Sequence, residues 1–409
     1  MTTTPVYPRE RLNVALLATV QALFTITAIT VMTLSGLVGS KLSPEPMLAT
    51  LPIAAMMLGT LIGTLPASLF MQKFGRRAGF LIGAGLGGVV GGALSVAGIA
   101  MGSFWLFSFA SLLLGLYQAF AMYYRFAAAD VVRPAWHSRA ISLVLVGGVI
   151  AAFLGPWNAR ATLDWFPGVS DAGPYAVVTV LALLAMLLLS LLKVPPSNEP
   201  GSDLPHRPLR RIAAQRDFKV AVLCSAVAYA IMVMLMSATP LGMRNAGFGM
   251  GEIAFIMQWH VLGMFAPSFV TGFLITRFGL GNILLSGALL LLASVLVAAA
   301  GQSLTHYWIA LVLLGVGWNF LFVGGSSLLT ETHTATERGI TQGVNDLIVY
   351  AMVVTGSLLS GVLVHYLGWS LLNLLSLIPI LITLGVILWW RGRENEKPSS
   401  QSTPSKQEV

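Results

Sequence analysis

Stretches of about 20 mostly apolar residues follow one another along almost the whole chain, separated by short polar segments. A helix of that length crosses the hydrocarbon core of a bilayer, which is about 30 Å thick. The composition agrees, because 56% of the 409 residues are apolar and 9% are charged, whereas roughly 25% of the residues of a soluble protein are charged. The sequence therefore predicts an all-α membrane protein and argues against a water-soluble one.

Twelve windows of about 19 residues qualify as transmembrane helices, six on each side of a polar break. The break, residues 193–219, is predicted to be a cytoplasmic linker between six-helix bundles at residues 1–192 and 220–390. The polar tail, residues 391–409, is predicted to be disordered and cytoplasmic. The predicted helices are Leu12–Ser40, Met47–Phe70, Ala78–Met101, Phe104–Ala128, Ala140–Pro156, Tyr175–Leu192, Val220–Pro240, Ile253–Ile275, Ile283–Ala300, Trp308–Leu329, Ile340–Leu363 and Leu371–Trp390.

The basic residues are distributed unevenly between the two sides of this predicted structure. With the N-terminus in the cytoplasm, 20 of the 23 lysines and arginines fall in cytoplasmic segments, and the exceptions are Lys41, Arg160 and Arg244. Cytoplasmic loops carry such an excess of positive charge, so we predict a multi-pass inner-membrane protein with both termini in the cytoplasm. The net charge of +8 follows from this topology and does not indicate nucleic-acid binding.

Short sequence matches indicate that the two halves of the chain are related to each other. Three pairs of tripeptides at equivalent topological places are displaced by about 200 residues, as expected for a parallel repeat of two six-helix units. The pairs are Lys73-Phe74-Gly75 with Arg277-Phe278-Gly279, Leu113-Leu114-Gly115 with Leu313-Leu314-Gly315, and Arg139-Ala140-Ile141 with Arg338-Gly339-Ile340.

The loops after the second and eighth predicted helices resemble those of the major facilitator superfamily, which carry a pattern close to G-x-L-x-D-R-x-G-R-R. In this sequence Gln72 and Thr276 stand at the aspartate positions. The resemblance implies the fold of that family, with twelve transmembrane helices in two pseudo-symmetric six-helix bundles, and a role in conformational gating for the loop residues. Alternatively, the basic residues only set the topology. The implied gating residues are Gln72, Lys73, Gly75, Arg76, Arg77, Arg277, Gly279 and Arg338.

Asp346 is the strongest candidate for a functional charge inside the membrane. An ionisable group in the hydrocarbon region costs at least ~2.5 kcal/mol, so such residues are retained for a reason. Gln342, Asn345 and Asp346 share one helical face. Because a carboxyl group moved out of water favours its neutral form, Asp346 could take up and release a proton during transport. The alternative is a structural partner for Arg338 or for a basic residue of the first half.

Arg125 and His260 are the other ionisable candidates within predicted helices. The planar guanidinium of Arg125 could hold an anionic group of a substrate, or it could pair with Asp130 or Asp346 as a gate. The imidazole of His260 titrates near neutral pH, so it is predicted either to contact a proton or the substrate, or to be a buried hydrogen-bonded histidine. No pair of histidines has the spacing of a metal site, and no cofactor is predicted.

The family resemblance implies that the first, fourth and tenth helices line a central cavity. Polar and aromatic residues of these helices are then the predicted substrate contacts, together with Arg125. They suggest a substrate that offers hydrogen-bonding groups and a flat ring. The predicted substrate-binding residues are Gln21, Gln118, Arg125, Trp318 and Asn319.

These observations favour a secondary active transporter of a small organic solute, working by alternating access and coupled to protons. An uncoupled facilitator and a drug or metabolite exporter stay open, since Gly155-Pro156 resembles an exporter motif. The absence of a G-x-x-x-x-G-K-[ST] motif argues against direct use of ATP. Candidate catalytic residues are scattered, so an enzyme is not predicted, and a non-transporting scaffold or sensor is the alternative from another class. The expected partners are the solute, lipid and protons, and a monomer is expected.

Overall fold

A computed structural model describes residues 9–133, 136–194, 207–334 and 337–395, and every regular element within these ranges is helical. Residues 9–194 are called the first half and residues 207–395 the second half below. The first half contains α1 Glu10–Leu42, α2 Leu51–Phe74, α3 Arg76–Ile82, α4 Gly91–Ala100, α5 Phe104–Ala121, α6 Tyr124–Asp130, α7 His137–Ala161 and α8 Ala172–Ser190. The second half contains α9 Leu209–Ala214, α10 Arg216–Asn245, α11 Met250–Phe265, α12 Ser268–Phe278, α13 Leu280–Ala300, α14 Leu304–Thr330 and α15 Arg338–Asn395.

Most of these helices are long and apolar enough to cross a bilayer. Within the described ranges nine helical segments meet that condition, of which Arg76–Ala100 joins α3 to α4 and Phe104–Ala128 joins α5 to α6. A tenth span results if α11 and α12, which meet at an angle of 42°, are taken together. The α7 helix adds 25 residues, and α15, at 58 residues, is interrupted at Gly368, whose φ is 73°. Helical membrane architecture is therefore confirmed, and the count of twelve spans stays a prediction.

The helices differ from the predicted ones where the backbone is irregular. The predicted third helix contains a π-helical segment at Gly83–Val90. The predicted fourth helix is interrupted between α5 and α6, and the predicted eighth between α11 and α12. Part of the predicted linker is helical, since it holds α9 and the start of α10. At its far end α15 reaches Asn395, inside the predicted tail; residues 396–409 and 195–206 lie outside the described part of the chain.

Side-chain contacts identify two faces of the molecule. On the face that carries the chain ends, called the terminal face, Asn13 donates to the carbonyl of Lys193 at 2.9 Å, and Trp390 Nε1 donates to Asp217 at 2.7 Å. On the other face, called the opposite face, Lys41 Nζ lies 2.5 Å from the carboxylate of Asp171. The helices run between these faces, so that the loop at residues 73–76 belongs to the terminal face and the turn at residues 43–50 to the opposite face.

Local structure repeats between the two halves at the spacing found in the sequence. Gly75 ends α2 with φ 86° and ψ 153°, and Gly279 ends α12 with φ 84° and ψ 148°. A side chain rarely adopts a positive φ of this kind, which explains glycine at both turns. Ser103 and Ser303 cap α5 and α14, each accepting a backbone N–H at 3.4 Å.

Close helix packing also repeats, at Gly115 and Gly315. A Cβ atom on Gly115 would lie 2.0 Å from the carbonyl oxygen of Met56 in α2, and one on Gly315 would lie 2.5 Å from the carbonyl oxygen of His260 in α11. Only glycine permits such an approach between two backbones. The α2–α5 pair of the first half is therefore packed like the α11–α14 pair of the second half, which supports the internal repeat.

Candidate transport site

Four aromatic side chains of the second half form a cluster, called the aromatic cluster, between α10, α14 and α15. Tyr229 lies at its centre, with ring centroids 5.7 Å from Trp318, 5.4 Å from Phe322 and 5.8 Å from Tyr350. Trp318 and Phe322, one turn apart on α14, are stacked at 5.1 Å with an interplanar angle of 9°. These separations are typical of favourable aromatic pairs, so the four rings pack as one cluster in which Trp318 and Tyr350 are buried and Tyr229 and Phe322 are half-buried.

A carboxylate lies beside the aromatic cluster, on the same helix as Tyr350. Asp346 precedes Tyr350 by one turn of α15 and accepts a hydrogen bond from the Asn345 amide at 3.0 Å. It interacts electrostatically with Tyr229, Tyr350 and the Arg125 guanidinium. These partners belong to three helices, α10, α15 and α6, so the charge of Asp346 acts on both the aromatic cluster and the first half.

Arg125 brings a positive charge of the first half toward Asp346 without forming an ion pair. Among the described residues, no salt bridge within 4.0 Å joins Arg125 to either Asp346 or Asp130. Its guanidinium instead lies 4.8 Å from the ring centroid of Phe126. The predicted pairing of Arg125 is therefore replaced by a longer-range attraction between the two halves, and the arginine keeps donors free for a ligand.

A direct contact between the halves lies close to this site. The hydroxyl of Tyr350 in the second half is 3.1 Å from the sulfur of Met122, in the break between α5 and α6. The aromatic cluster thus reaches the irregular part of the fourth predicted helix, just before Arg125.

Gln21 and Gln118 are half-buried on α1 and α5. The side-chain amide of Gln21 donates to the hydroxyl of Thr25 at 3.0 Å, and that hydroxyl donates to the backbone carbonyl of Gln21 at 2.8 Å. Within the described part of the chain no hydrogen bond joins either glutamine to the aromatic cluster. Their role in substrate binding stays a prediction.

Asn319 and His260, two further predicted site residues, are fully buried in the contact between α14 and the α11–α12 pair. The Asn319 amide donates to the Met264 carbonyl at 2.8 Å and to Ser268 at 2.6 Å, and accepts from Thr271 at 2.7 Å. The first of these bonds satisfies a backbone carbonyl beside the break between α11 and α12, and the other two join side chains of α12. Nδ1 of His260 donates to the Leu311 carbonyl at 2.8 Å, and its role in proton coupling stays a prediction.

The predicted gating residues lie on the terminal face. Gln72 and Lys73 are exposed, and Lys73 Nζ lies 5.2 Å from the ring centroid of Phe74. Arg277 repeats this contact with Phe278 at 5.4 Å. The side chain of Arg338 lies outside the described part of the structure. The equivalent turns at Gly75 and Gly279 are therefore followed by equivalent cation–aromatic contacts.

Arg76 and Arg77 connect the first of these turns to neighbouring helices. Arg76 Nε lies 2.5 Å from the carboxylate of Asp130, and Arg77 donates to the carbonyl of Ser190. Asp130 thereby supplies an acid to the loop in which Gln72 occupies the aspartate position of the family pattern. Both arginines are engaged in contacts between helix ends, so their part in gating would involve breaking these contacts.

An ion pair between an exposed arginine and a buried glutamate of the second half was not predicted from the sequence. Arg207, in the predicted linker, forms two parallel hydrogen bonds of 2.7 and 2.6 Å with Glu337. Glu337 is 2% exposed, and the guanidinium of Arg207 holds the pKa of this carboxyl well below its usual range. The pair joins residues 130 positions apart, which no local pattern could indicate. It fastens the linker to the turn between α14 and α15.

Comparisons with known proteins agree with this architecture. The model of a family described as Major Facilitator Superfamily matches residues 15–241 and 221–408. A relative from Brucella anthropi named riboflavin transporter RfnT is 40% identical over 383 residues, covering 91% of this chain and 96% of the relative. An uncharacterised transporter of the same superfamily, YdeG of Bacillus subtilis, is 29% identical over 74% of this chain and 75% of its own length.

Solved structures resemble the fold as a whole. The outward conformation of FucP superposes with a TM-score of 0.60 at 19% identity, covering 93% of this chain and 98% of that one. A variant of FucP, described as the E. coli fucose:proton symporter, gives 0.61 at 20% identity with the same coverage. At this level of identity the likeness concerns the fold alone.

Proposed function

This chain belongs to the major facilitator superfamily and is a membrane transporter of a small solute, and on that premise we propose that the solute is riboflavin or a closely related flavin. The aromatic cluster is the observation that carries the proposal. A flavin has a flat, fused three-ring system, and such a ring binds well against offset or edge-on aromatic side chains. The Brucella anthropi relative, matched over nearly its whole length, is named for the same solute.

Two sets of polar residues, one in each half, suit the remaining parts of a flavin. The ring system carries nitrogen and carbonyl groups along one edge, which Asp346 and Asn345 on α15 can approach. The hydroxylated side chain of riboflavin needs hydrogen-bonding partners when it leaves water. We assign these to Gln21 and Gln118 of the first half, so that the ring is bound mainly by one half and the side chain by the other.

We propose that transport proceeds by alternating access between two six-helix bundles, with twelve spans in all. The α7 helix and the paired α11–α12 each count as one span. At a rise of 1.5 Å per residue, the 58 residues of α15 would extend over more than twice the thickness of a hydrocarbon core. Gly368 therefore divides α15 into two spans. The excess of basic residues assigns the terminal face to the cytoplasm of an inner membrane.

We further propose that protons drive the cycle through Asp346. When charged, Asp346 attracts Arg125 across the two halves; when protonated, it loses that attraction, so that the halves separate more easily. This links the protonation state of one carboxyl group to the opening of the site. An uncoupled facilitator would transport without such a link, and an exporter would run the same cycle in the other direction.

Uptake of radiolabelled riboflavin by a bacterial strain that cannot synthesise it tests the proposal. Cells that express this chain should accumulate the label, and a protonophore should reduce the accumulation. Variant Asp346→Asn should still equilibrate riboflavin but should not concentrate it. A facilitator would equilibrate it in every variant, an exporter would lower the label in preloaded cells, and a scaffold or sensor would leave uptake unchanged and so refute the proposal.

A further inference from the structure

The indole N–H of Trp318 is buried without a hydrogen-bond partner. The side chain is 8% exposed, and Nε1 has no acceptor in the described part of the chain. Two other buried tryptophans behave differently, since Trp369 donates to the Ala298 carbonyl at 2.9 Å and Trp390 donates to Asp217 at 2.7 Å. An unsatisfied buried donor costs roughly 1–3 kcal/mol, so its presence at a ring cluster indicates an acceptor that the protein does not supply.

The orientation of this donor is restricted by its neighbours. The indole of Trp318 is stacked on Phe322 and also packs against Tyr229. Rotation of the indole toward another acceptor would break both ring contacts. The N–H is therefore held ready for a partner, as hydrogen-bonding groups of selective binding sites are.

We propose that Trp318 is a specificity-determining residue, whose N–H donates to a nitrogen or carbonyl acceptor on the edge of a flat heteroaromatic substrate. This inference rests on the proposed function, because it concerns the same site. It adds that the cluster selects rings with edge acceptors over hydrocarbon rings of the same shape. A site built to bond an edge acceptor rejects a ring that lacks one, since the buried donor is then left unpaired.

Replacement of Trp318 by β-(3-benzothienyl)alanine tests this inference, since that residue substitutes sulfur for the N–H and keeps the ring shape. We expect the KM for riboflavin to rise about tenfold with little change in the maximal rate, and Trp318→Phe to behave similarly. The same replacement at Trp157, 62% exposed on α7, is the control and should change nothing. If the wild type transports riboflavin and the variants keep its KM, this inference is wrong; if the wild type does not transport riboflavin, the proposed function itself fails.

A separate observation concerns the way the two halves meet at the opposite face. The hydroxyl of Thr50, beside α2, donates to the carbonyl of Ser357 at 2.9 Å and accepts from the N–H of Gly361 at 3.1 Å. Both Thr50 and Ser357 are buried. A carbonyl and an N–H four residues apart are the partners of one hydrogen bond within a helix, so a side chain of the first half bridges a backbone pair of α15.

This contact depends on glycine at position 361. A Cβ atom there would lie 2.6 Å from the Thr50 hydroxyl and 2.9 Å from the Met47 carbonyl oxygen. When Thr50 withdraws, the Ser357 carbonyl and the Gly361 N–H can bond to each other, so neither backbone group is left unpaired. The separation exchanges one set of hydrogen bonds for another, and its net cost is accordingly low.

We infer that Thr50 and Gly361 form a latch that holds the opposite face closed and that opens at little cost during each cycle. The closed state gains the two hydrogen bonds of the Thr50 hydroxyl, and in the open state the helical pairing of α15 satisfies both backbone groups. Such a contact biases a two-state equilibrium without locking it. The inference does not depend on which solute is carried.

A cysteine introduced by Ser237→Cys reports the state of the latch. Ser237 is fully buried beside Gly36 of α1, so a membrane-impermeant maleimide added at the opposite face should label it only when that face opens. We expect Thr50→Val and Gly361→Ala to raise the labelling rate several-fold, and Thr50→Ser to leave it unchanged. Thr355→Val, which alters an exposed hydroxyl of α15, is the control. Labelling of Thr50→Val at the wild-type rate would refute the latch.

Discussion

The two halves of the molecule share a scaffold but not a chemistry. Their turns at Gly75 and Gly279 have nearly the same φ and ψ angles, and their helix pairs pack through Gly115 and Gly315. Trp318 corresponds to Gln118 at the displacement of 200 residues that relates Gly315 to Gly115, and Asp346 corresponds to Gly147 at the displacement of 199 residues that relates Arg338 to Arg139. The glycines that both halves retain support the turns and the packing of the helices. The residues that differ between the halves, Trp318 and Asp346, belong to the proposed transport site.

The two halves also differ in the regularity of one helix, since α11 and α12 are separated by a break that α2 lacks. The α2 helix stays continuous over 24 residues although it contains Pro66, whereas α11 and α12 are separated at Pro267. The two prolines are not equivalent, because the displacement of 204 residues between Gly75 and Gly279 pairs Pro66 with Val270. The second half carries Asn319 at the break, where its amide donates to the backbone carbonyl of Met264. The first half has Ala119 at that place and needs no such repair. The difference between the halves thus includes a bent helix beside the aromatic cluster.

The largest expected effect concerns Asp346, the carboxylate beside the aromatic cluster, which has no charged counterpart in the first half. We expect Asp346→Asn to lower the concentrative uptake of riboflavin on the order of 100-fold, which corresponds to about 2.7 kcal/mol of lost coupling free energy. Binding of the ring should persist. Uptake measured at pH 6 and pH 8 checks this, and the variant should lose the pH dependence of the wild type. A pH response unchanged in the variant would assign Asp346 a structural role.

The next effect compares Trp318 with its counterpart Gln118. Removal of a stacking ring costs roughly 1–3 kcal/mol, so we expect Trp318→Ala to weaken riboflavin binding about 10- to 100-fold. Gln118→Ala, which removes one polar contact, should weaken it by less than about tenfold. Titration of the purified protein with riboflavin measures both. Equal losses would mean that the two halves share the ring, against our assignment.

A stability effect is expected at Asn319, which was predicted from the sequence to bind substrate. Because its side chain makes three hydrogen bonds at the α11–α12 break, we expect Asn319→Ala to lower the free energy of unfolding by about 2–4 kcal/mol. Thermal unfolding in detergent tests this. The KM of the folded fraction should stay near the wild-type value, and a selective rise in KM without loss of stability would restore the substrate role.

The smallest effect concerns pH and the Arg207–Glu337 pair. The pKa of Glu337 is lowered in the folded state, so the pair stabilises the protein above the ordinary glutamate pKa, about 4.3, and this contribution is lost as the pH falls through the lowered value. We expect the unfolding temperature of the wild type to fall more steeply with acidification below about pH 5 than that of Glu337→Gln. Parallel pH profiles would show that the pair does not contribute to acid stability.

The sequence predicts well what depends on local composition. Apolar length locates the spans to within a few residues, because any segment that crosses hydrocarbon must satisfy its backbone internally. Matched tripeptides around Gly75 and Gly279 indicate the repeat, since a turn with positive φ leaves a recognisable glycine. The same local patterns indicate the major facilitator superfamily, which the family model confirms.

Contacts between distant segments could not be predicted in the same way. Asn319 and Trp318 are adjacent in sequence, and both were expected to bind substrate. In the structure Asn319 hydrogen-bonds to the Met264 carbonyl beside the α11–α12 break, whereas Trp318 belongs to the aromatic cluster. Tyr229 and Tyr350 were not selected as site residues, because a tyrosine in an apolar helix gives no sign of which neighbours it meets. The bond of Thr50 with Ser357 and Gly361 depends on how the halves pack, which no single segment encodes.

Fluorescence of riboflavin titrated with the purified protein tests the central claim most directly, because stacking on aromatic side chains quenches flavin emission. We predict saturable quenching by the wild type, a markedly weaker effect with Tyr229→Ala, and an unchanged effect with Trp157→Ala on the exposed surface of α7. Absence of saturable quenching, or equal quenching by all three proteins, would contradict a flavin site on the aromatic cluster of the second half.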